Sequence, residues 1–220
     1  KEINNAKVTF FTSGTTGFPK IITHKITNLY QNACDFCSLH KFNSESKFIN
    51  YLPLFYLGGY YNLFLIPFFL GSSIFLTKPF NAELSLKFWD LIYKNSINII
   101  WFTPLIVRIL IKIGISSEKK LMMSKQIKHS LIGMDAIDDQ LKKEFYKKFN
   151  INLLENYGLS ETLFISTQTN TDKNSFGSGK ILKKINLLFT NKDNNKNNRE
   201  ILVKSPYLAE NIKLNYDNYF

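Results

Sequence analysis

Thr12-Ser13-Gly14-Thr15-Thr16-Gly17-Phe18-Pro19-Lys20 is the stretch from which the rest of the chain is read. It follows Lys7-Val8-Thr9-Phe10-Phe11, a β-branched and aromatic run that predicts a strand feeding a loop. Two glycines let the backbone turn with its N–H groups pointing inward, which makes an anion-binding concavity. The four hydroxyls can donate to phosphate oxygens, and Lys20 adds a mobile positive charge. The order Gly-x-x-x-x-Gly-Lys-Ser/Thr of a Walker A loop cannot be laid on these residues.

Outward from this loop, strands and helices alternate. Residues 27–37 predict a helix with Leu29, Ala33 and Phe36 on one face. Residues 52–76 carry no charge, but Pro53, Gly58-Gly59, Pro67 and Gly71 interrupt them. They divide into a loop, a buried helix at 60–69 and a strand at 73–76, which argues against a transmembrane span. A helix is expected at 84–94, a buried strand at 97–102, and a helix at 105–113 opened by Pro104. A short strand at 130–133 precedes a helix at 138–149, whose Asp138 and Asp139 stand at the start and whose lysines stand near the end. Residues 151–157 form a strand running into a Gly turn. Residues 1–165 therefore predict an α/β fold of layered, parallel-rich sheets flanked by helices. Residues 166–220 predict mixed or antiparallel strands, with the most polar loop at 191–199.

The chain has 220 residues, 45% of them hydrophobic, with 20 Phe and 11 Tyr, enough for a large packed core. Lys+Arg 28 against Asp+Glu 17 gives a net charge of +11, which favours an anionic partner. The basic residues are scattered rather than striped, and no recognition motif accompanies them, so nucleic acid is not expected as a partner. Two cysteines cannot build a disulfide framework, and no secretory signal opens the chain; a cytoplasmic or similarly reducing compartment is expected. Cys34, Cys37 and His40 lie three apart, but with no second pair of ligands the expectation is buried thiols beside a surface histidine rather than zinc. Asp138-Asp139 is expected to cap a helix, His24 to belong to the exit of the phosphate loop, and Trp89 and Trp101 to lie in the core.

Residues 12–20 resemble the phosphate-binding signature of the AMP-binding, adenylate-forming superfamily. Asn156-Tyr157-Gly158-Leu159-Ser160-Glu161-Thr162 is similar to its Tyr-Gly-x-Thr/Ser-Glu motif. Weaker likenesses fall in the same order: Leu52-Pro53-Leu54-Phe55-Tyr56-Leu57-Gly58-Gly59, Leu131-Ile132-Gly133-Met134-Asp135-Ala136-Ile137, Gly177-Ser178-Gly179-Lys180 and Arg199-Glu200-Ile201-Leu202-Val203.

The resemblance implies ATP-dependent activation of a small-molecule carboxylic acid as an acyl-adenylate, with transfer to a thiol of coenzyme A or an acyl carrier protein. It implies that Thr12, Ser13, Gly14, Thr15, Thr16, Gly17 and Lys20 hold the β- and γ-phosphates. Tyr157 would lie against adenine, walled by Gly133, Met134, Asp135, Ala136 and Asn156, with Gly158 and Leu159 in the same nucleotide-binding set. Ser160 would bond the α-phosphate, Glu161 would bind Mg²⁺, and Tyr56 and Met134 would face the acyl group. Lys20, Ser160 and Glu161 are the implied catalytic residues.

Tyr56 stands where the superfamily usually has His, and Met134 where it usually has Gly. The resemblance further implies that residues 1–220 are a central part of the large adenylation domain, without its N-terminal region and C-terminal lid. Tyr216 to Phe220 resembles the lead-in to the next family motif, and both chain ends read as cuts. The alternative is a degenerate module that holds nucleotide without making adenylate.

Overall fold

The computed structural model describes residues 5–12, 19–172, 177–191, 199–214 and 219–220. Ser13, Gly14, Thr15, Thr16 and Gly17 of the candidate phosphate loop lie outside the described residues, as do the interior of the 191–199 loop and residues 215–218.

A hairpin opens the described chain: β1 (Lys7–Thr12) pairs antiparallel with β2 (Lys20–Lys25), with Thr12 opposite Lys20. Helix α1 (Ile26–His40) follows, and its Leu29, Ala33 and Phe36 are buried as their spacing requires. Next come β3 (Lys47–Asn50), a π-helix (Gly58–Leu65) running into α2 (Ile66–Leu70), and β4 (Ser73–Leu76). Alternation continues through α3 (Ala82–Lys94), β5 (Ile99–Phe102), α4 (Pro104–Ile113), α5 (Ser117–Gln126), β6 (His129–Ile132), α6 (Asp139–Phe149) and β7 (Leu154–Leu159). Strands β8 (Leu163–Thr167) and β9 (Lys180–Ile181) complete a seven-stranded sheet of order β4-β3-β5-β6-β7-β8-β9. A second hairpin pairs β10 (Asn186–Asn191) with β11 (Arg199–Lys204).

Pairing is parallel from β4 through β7 and antiparallel from β7 through β9. The change of direction falls at the β7–β8 pair, slightly ahead of residue 166. Because side chains alternate along a strand, the parallel strands feed two cores. Phe48, Ile99, Trp101, Leu131 and Leu154 pack with α1 and the π-helix on one face. Ile49, Ile100, Phe102 and Ile132 pack with Phe88, Trp89, Leu110, Phe145 and Phe149 on the other.

Helix starts follow local chemistry. Asn81, Thr103, Ser116 and Asp138 each accept a hydrogen bond from a backbone N–H in the first turn. The expected capping role of Asp138 is thus met, and Trp89 and Trp101 are both buried. One expectation is corrected: Cys34 is exposed and only Cys37 is buried, whereas His40 is buried, its Nε2 bonded to Thr167 Oγ1 at 3.0 Å. Position 34 lies off the stripe that α1 turns to the core, and position 40 lies on it. Among the described residues no helix is long and apolar enough to cross a membrane.

Candidate active site

Three of the segments singled out in sequence follow the C-terminal ends of parallel strands, where open α/β sheets place their ligand crevices, whereas Thr12 to Lys20 joins the separate β1–β2 hairpin. Tyr56 comes after β3, Gly133 to Ala136 after β6, and Ser160 after β7. They meet around a cavity of about 500 Å³, lined by Tyr56, Met134, Asp135, Ala136, Asn156, Tyr157, Gly158, Leu159 and Ser160. Leu57, Gly58, Tyr61, Asn62, Ile137, Glu155, Leu163 and Phe164 complete its wall. That volume suits a small-molecule ligand.

Four departures from regular backbone converge on this cavity. The π-helix supplies Gly58, Tyr61 and Asn62. Met134 and Leu163 hold left-handed φ values of 69° and 59°, which side chains resist. The β7–β8 register shifts between Tyr157 and Gly158. Such irregularities persist where the surroundings enforce them, and they cluster at functional sites.

Gly133 is buried behind the cavity wall. A Cβ there would stand 2.5 Å from Asn156 Oδ1, so only glycine lets the Asn156 carboxamide lie against it. Asn156 Nδ2 donates to the Ile132 carbonyl at 2.8 Å, which fixes β7 against the turn after β6.

Ser160 and Glu161 follow at the turn between β7 and β8. Glu161 Oε1 pairs with Lys20 Nζ at 2.5 Å, joining residues 141 positions apart. His24, fully buried on β2, donates from Nε2 to the Ser160 carbonyl at 2.7 Å, since a carbonyl can only accept. Burial pushes its imidazole below the usual range, and the Ser160 carbonyl and the Glu161 charge oppose that push. The ring is thereby held neutral at pH 7 as a strut under the Ser160–Glu161 turn. Thr12, at the end of β1, places Oγ1 3.4 Å from the Lys20 carbonyl. Tyr56 stands at the rim, 40% exposed; burial and the nearby Asp135 charge raise its phenol above the ordinary value.

Lys20 and Glu161 thus meet each other, while Tyr56, Met134 and the 156–160 segment meet around the cavity. The cavity also uses Asn62, Leu163 and Phe164, which no motif marked. Asn62 was detectable only as the one amide in the apolar run 57–70.

Glu161 is 15% exposed, and its Oε2 has no hydrogen-bond partner among the described residues. A single available carboxylate suits Mg²⁺, which takes one or two carboxylates and fills its other positions with phosphate and water. No cluster of three His, Cys, Asp or Glu able to hold a metal by itself occurs among the described residues.

The model of the AMP-binding enzyme family matches residues 3–211. The crotonobetaine/carnitine–CoA ligase of Proteus mirabilis is 27% identical over 161 residues, covering 70% of this chain and 28% of that protein. The malonate–CoA ligase of Arabidopsis thaliana is 23% identical over 222 residues, covering 94% of this chain and 36% of that protein. The ATP-bound crystal structure of MatB from Rhodopseudomonas palustris has the same fold, with a TM-score of 0.81 at 19% identity over 96% of this chain and 44% of its own. The chain therefore spans about a third of the length of the curated relatives it matches. With the family model covering nearly all of its residues, the chain belongs to the AMP-binding enzyme family.

Proposed function

We propose that this chain carries the nucleotide-binding core of an ATP-dependent acid–thiol ligase. A carboxylate oxygen attacks the α-phosphorus of ATP, pyrophosphate leaves, and a thiol then attacks the acyl carbon and releases AMP. The observation that carries this reading is the meeting of Tyr56, Met134 and the 156–160 segment around one cavity, with Glu161, the next residue after the lining Ser160, paired to Lys20. Both relatives described above are CoA ligases, which favours coenzyme A over a carrier protein as the thiol donor.

In this reading Tyr157 packs on adenine, Asn156 and residues 133–136 wall the base, and Ser160 donates to the α-phosphate. Lys20 neutralises phosphate charge as the anionic carboxylate approaches. Thr12 and residues 13–17 cradle the outer phosphates. Glu161 Oε2 would hold Mg²⁺, which when bound offsets the charge of the departing pyrophosphate. Tyr56 and Met134 border the acyl group. The match to about a third of each relative supports reading residues 1–220 as a central part of the larger domain, layered over 1–165 and mixed-stranded over 166–220. The free thiols Cys34 and Cys37 suit a cytoplasmic, reducing compartment.

The test is carboxylate-dependent ATP–pyrophosphate exchange by the full-length protein across a panel of acids. Exchange is expected with at least one acid, and Glu161→Gln should lower the Mg²⁺-dependent rate by roughly a hundredfold. ATP binding without exchange on any acid would reduce the site to nucleotide holding, and near-normal exchange in Glu161→Gln would remove that carboxylate from it.

A further inference from the structure

Five carboxamides are buried among the described residues: Asn32, Asn50, Asn62, Asn156 and Gln168. Four are tied to backbone: Asn32 to Phe164, Asn50 to Gly59, Asn156 to Ile132 and Gln168 to Glu155. Asn62 is 5% exposed and lines the cavity, yet its side chain makes no hydrogen bond among the described residues. Its amide atoms are not sealed off as the unpartnered Ser130 hydroxyl is, so they open onto the cavity, where a ligand can supply the partner that the fold does not. Its place explains it. Asn62 lies one turn of the π-helix beyond Gly58, on the same face. A Cβ at Gly58 would meet Met134 Sδ at 2.7 Å and a Tyr56 ring carbon at 2.9 Å, so those two side chains close over the helix there. Tyr56, 40% exposed, and the buried Asn62 thus line one cavity together with Tyr61, Leu163 and Phe164.

We propose that Asn62 is a specificity-determining residue, whose carboxamide hydrogen-bonds an uncharged polar group, such as a hydroxyl or carbonyl, on the acyl part of the acid. This rests on the adenylation reading, in which the acyl group enters past Tyr56 and Met134. An amide offers both donors and an acceptor, so it serves neutral polar groups. A second carboxylate is disfavoured: the charged residues lining the cavity are Asp135 and Glu155, both acidic, and Glu155 is already paired with Lys142 at 3.2 Å.

The test compares straight-chain monocarboxylates with isosteres whose terminal methyl is a hydroxyl, and with dicarboxylates of equal length. The readout is the ratio of kcat/KM in ATP–pyrophosphate exchange by the full-length protein. At the best chain length the hydroxy acid is expected to exceed its methyl isostere about tenfold or more, with the dicarboxylate poorest. Asn62→Leu should reverse that ratio, and Asn62→Ala, which keeps no amide, should abolish it even if the leucine does not pack. A methyl acid preferred at every length, or a hydroxyl preference unchanged in both variants, overturns the proposal while leaving the adenylation reading intact. Acid-induced thermal shifts in the presence of AMP separate binding from chemistry. A hydroxy-acid shift that depends on Asn62, without exchange on any acid, supports the subsite and overturns the adenylation reading. Neither shift nor exchange with any acid overturns both.

Discussion

A methyl group on Gly133 would stand 2.5 Å from Asn156 Oδ1 and 3.0 Å from the Asn156 carbonyl, with backbone on one side of it. Gly133→Ala should therefore push the Asn156 carboxamide off the Ile132 carbonyl. The expected loss is about 1–3 kcal/mol, from overpacking and an unmade buried bond, read as a lower urea midpoint. ATP affinity should weaken in the same variant; unchanged stability would show that the turn after β6 yields freely. At this scale the sequence was informative where a residue acts through its immediate neighbours. Asp138 caps α6, as its position before an amphipathic run required. Asn62 was opaque because its meaning depends on which face of the π-helix meets the cavity, and a run rich in Leu, Phe and Tyr all round has no polar side to orient it.

Among the elements, α1, the π-helix and β8 are joined by one side chain. Asn32 Nδ2 donates to the Phe164 carbonyl at 3.0 Å, while its Oδ1 accepts from the Phe164 N–H at 3.1 Å and from the Tyr61 hydroxyl at 2.9 Å. Asn32→Leu keeps the volume but strands these groups in the core. A loss of about 2–4 kcal/mol is expected, with a lower urea midpoint and an unchanged m-value. A shift near zero would mean that water replaces the amide. The helices α3, α4 and α6 are legible because apolar spacing, caps and last-turn lysines agree over each of them, and α1 is legible from its apolar spacing alone. Strands β2 and β3 and helix α5 are not. Lys20–Lys25 and Lys47–Asn50 are short and begin with a charge, and their strand state comes from pairing with β1 and with β4 and β5. Helix α5 buries only Met123, so it has no apolar stripe to read. The apolar run predicts an ordinary helix over 60–69, whereas the helix begins at Gly58 and winds as a π-helix to Leu65 before α2.

Across the whole molecule, surface lysines enter ion pairs such as Lys7–Glu210, Lys180–Asp172 and Lys184–Asp35. Three histidines lowered by burial link stability to pH, His24 under the Ser160–Glu161 turn and a facing pair elsewhere. His40 and His129 meet edge to face at 5.5 Å, and burial, with each one's neighbouring charge, lowers them to about 3 and about 4 from an ordinary 6.5. Both folded-state values are depressed, so their contribution is complete above about pH 6.5 and is lost as pH falls toward them, because only the unfolded chain takes the protons. The melting temperature at pH 5 should lie below that at pH 7, and the double variant His40→Gln, His129→Gln should show a smaller drop. An equal drop in both proteins would place the linkage elsewhere.

What the amino-acid sequence determined by itself was local and ordered: a Ser/Thr/Gly-rich stretch after a strand, the 156–162 motif far downstream, capped helices and an alternation that demands a layered α/β fold. These are written in residue types and spacings of a few positions. The tertiary structure alone decided that Lys20 meets Glu161, that Tyr56 and Met134 close over Gly58, and that Asn62 reaches the cavity with its amide unpaired among the described residues. Those contacts join residues tens of positions apart or more. The cavity contacts exist because the parallel order β3-β5-β6-β7 brings the C-terminal ends of four strands to one edge, with two opposed cores buried against the sheet, and Lys20 is brought to Glu161 from the separate β1–β2 hairpin.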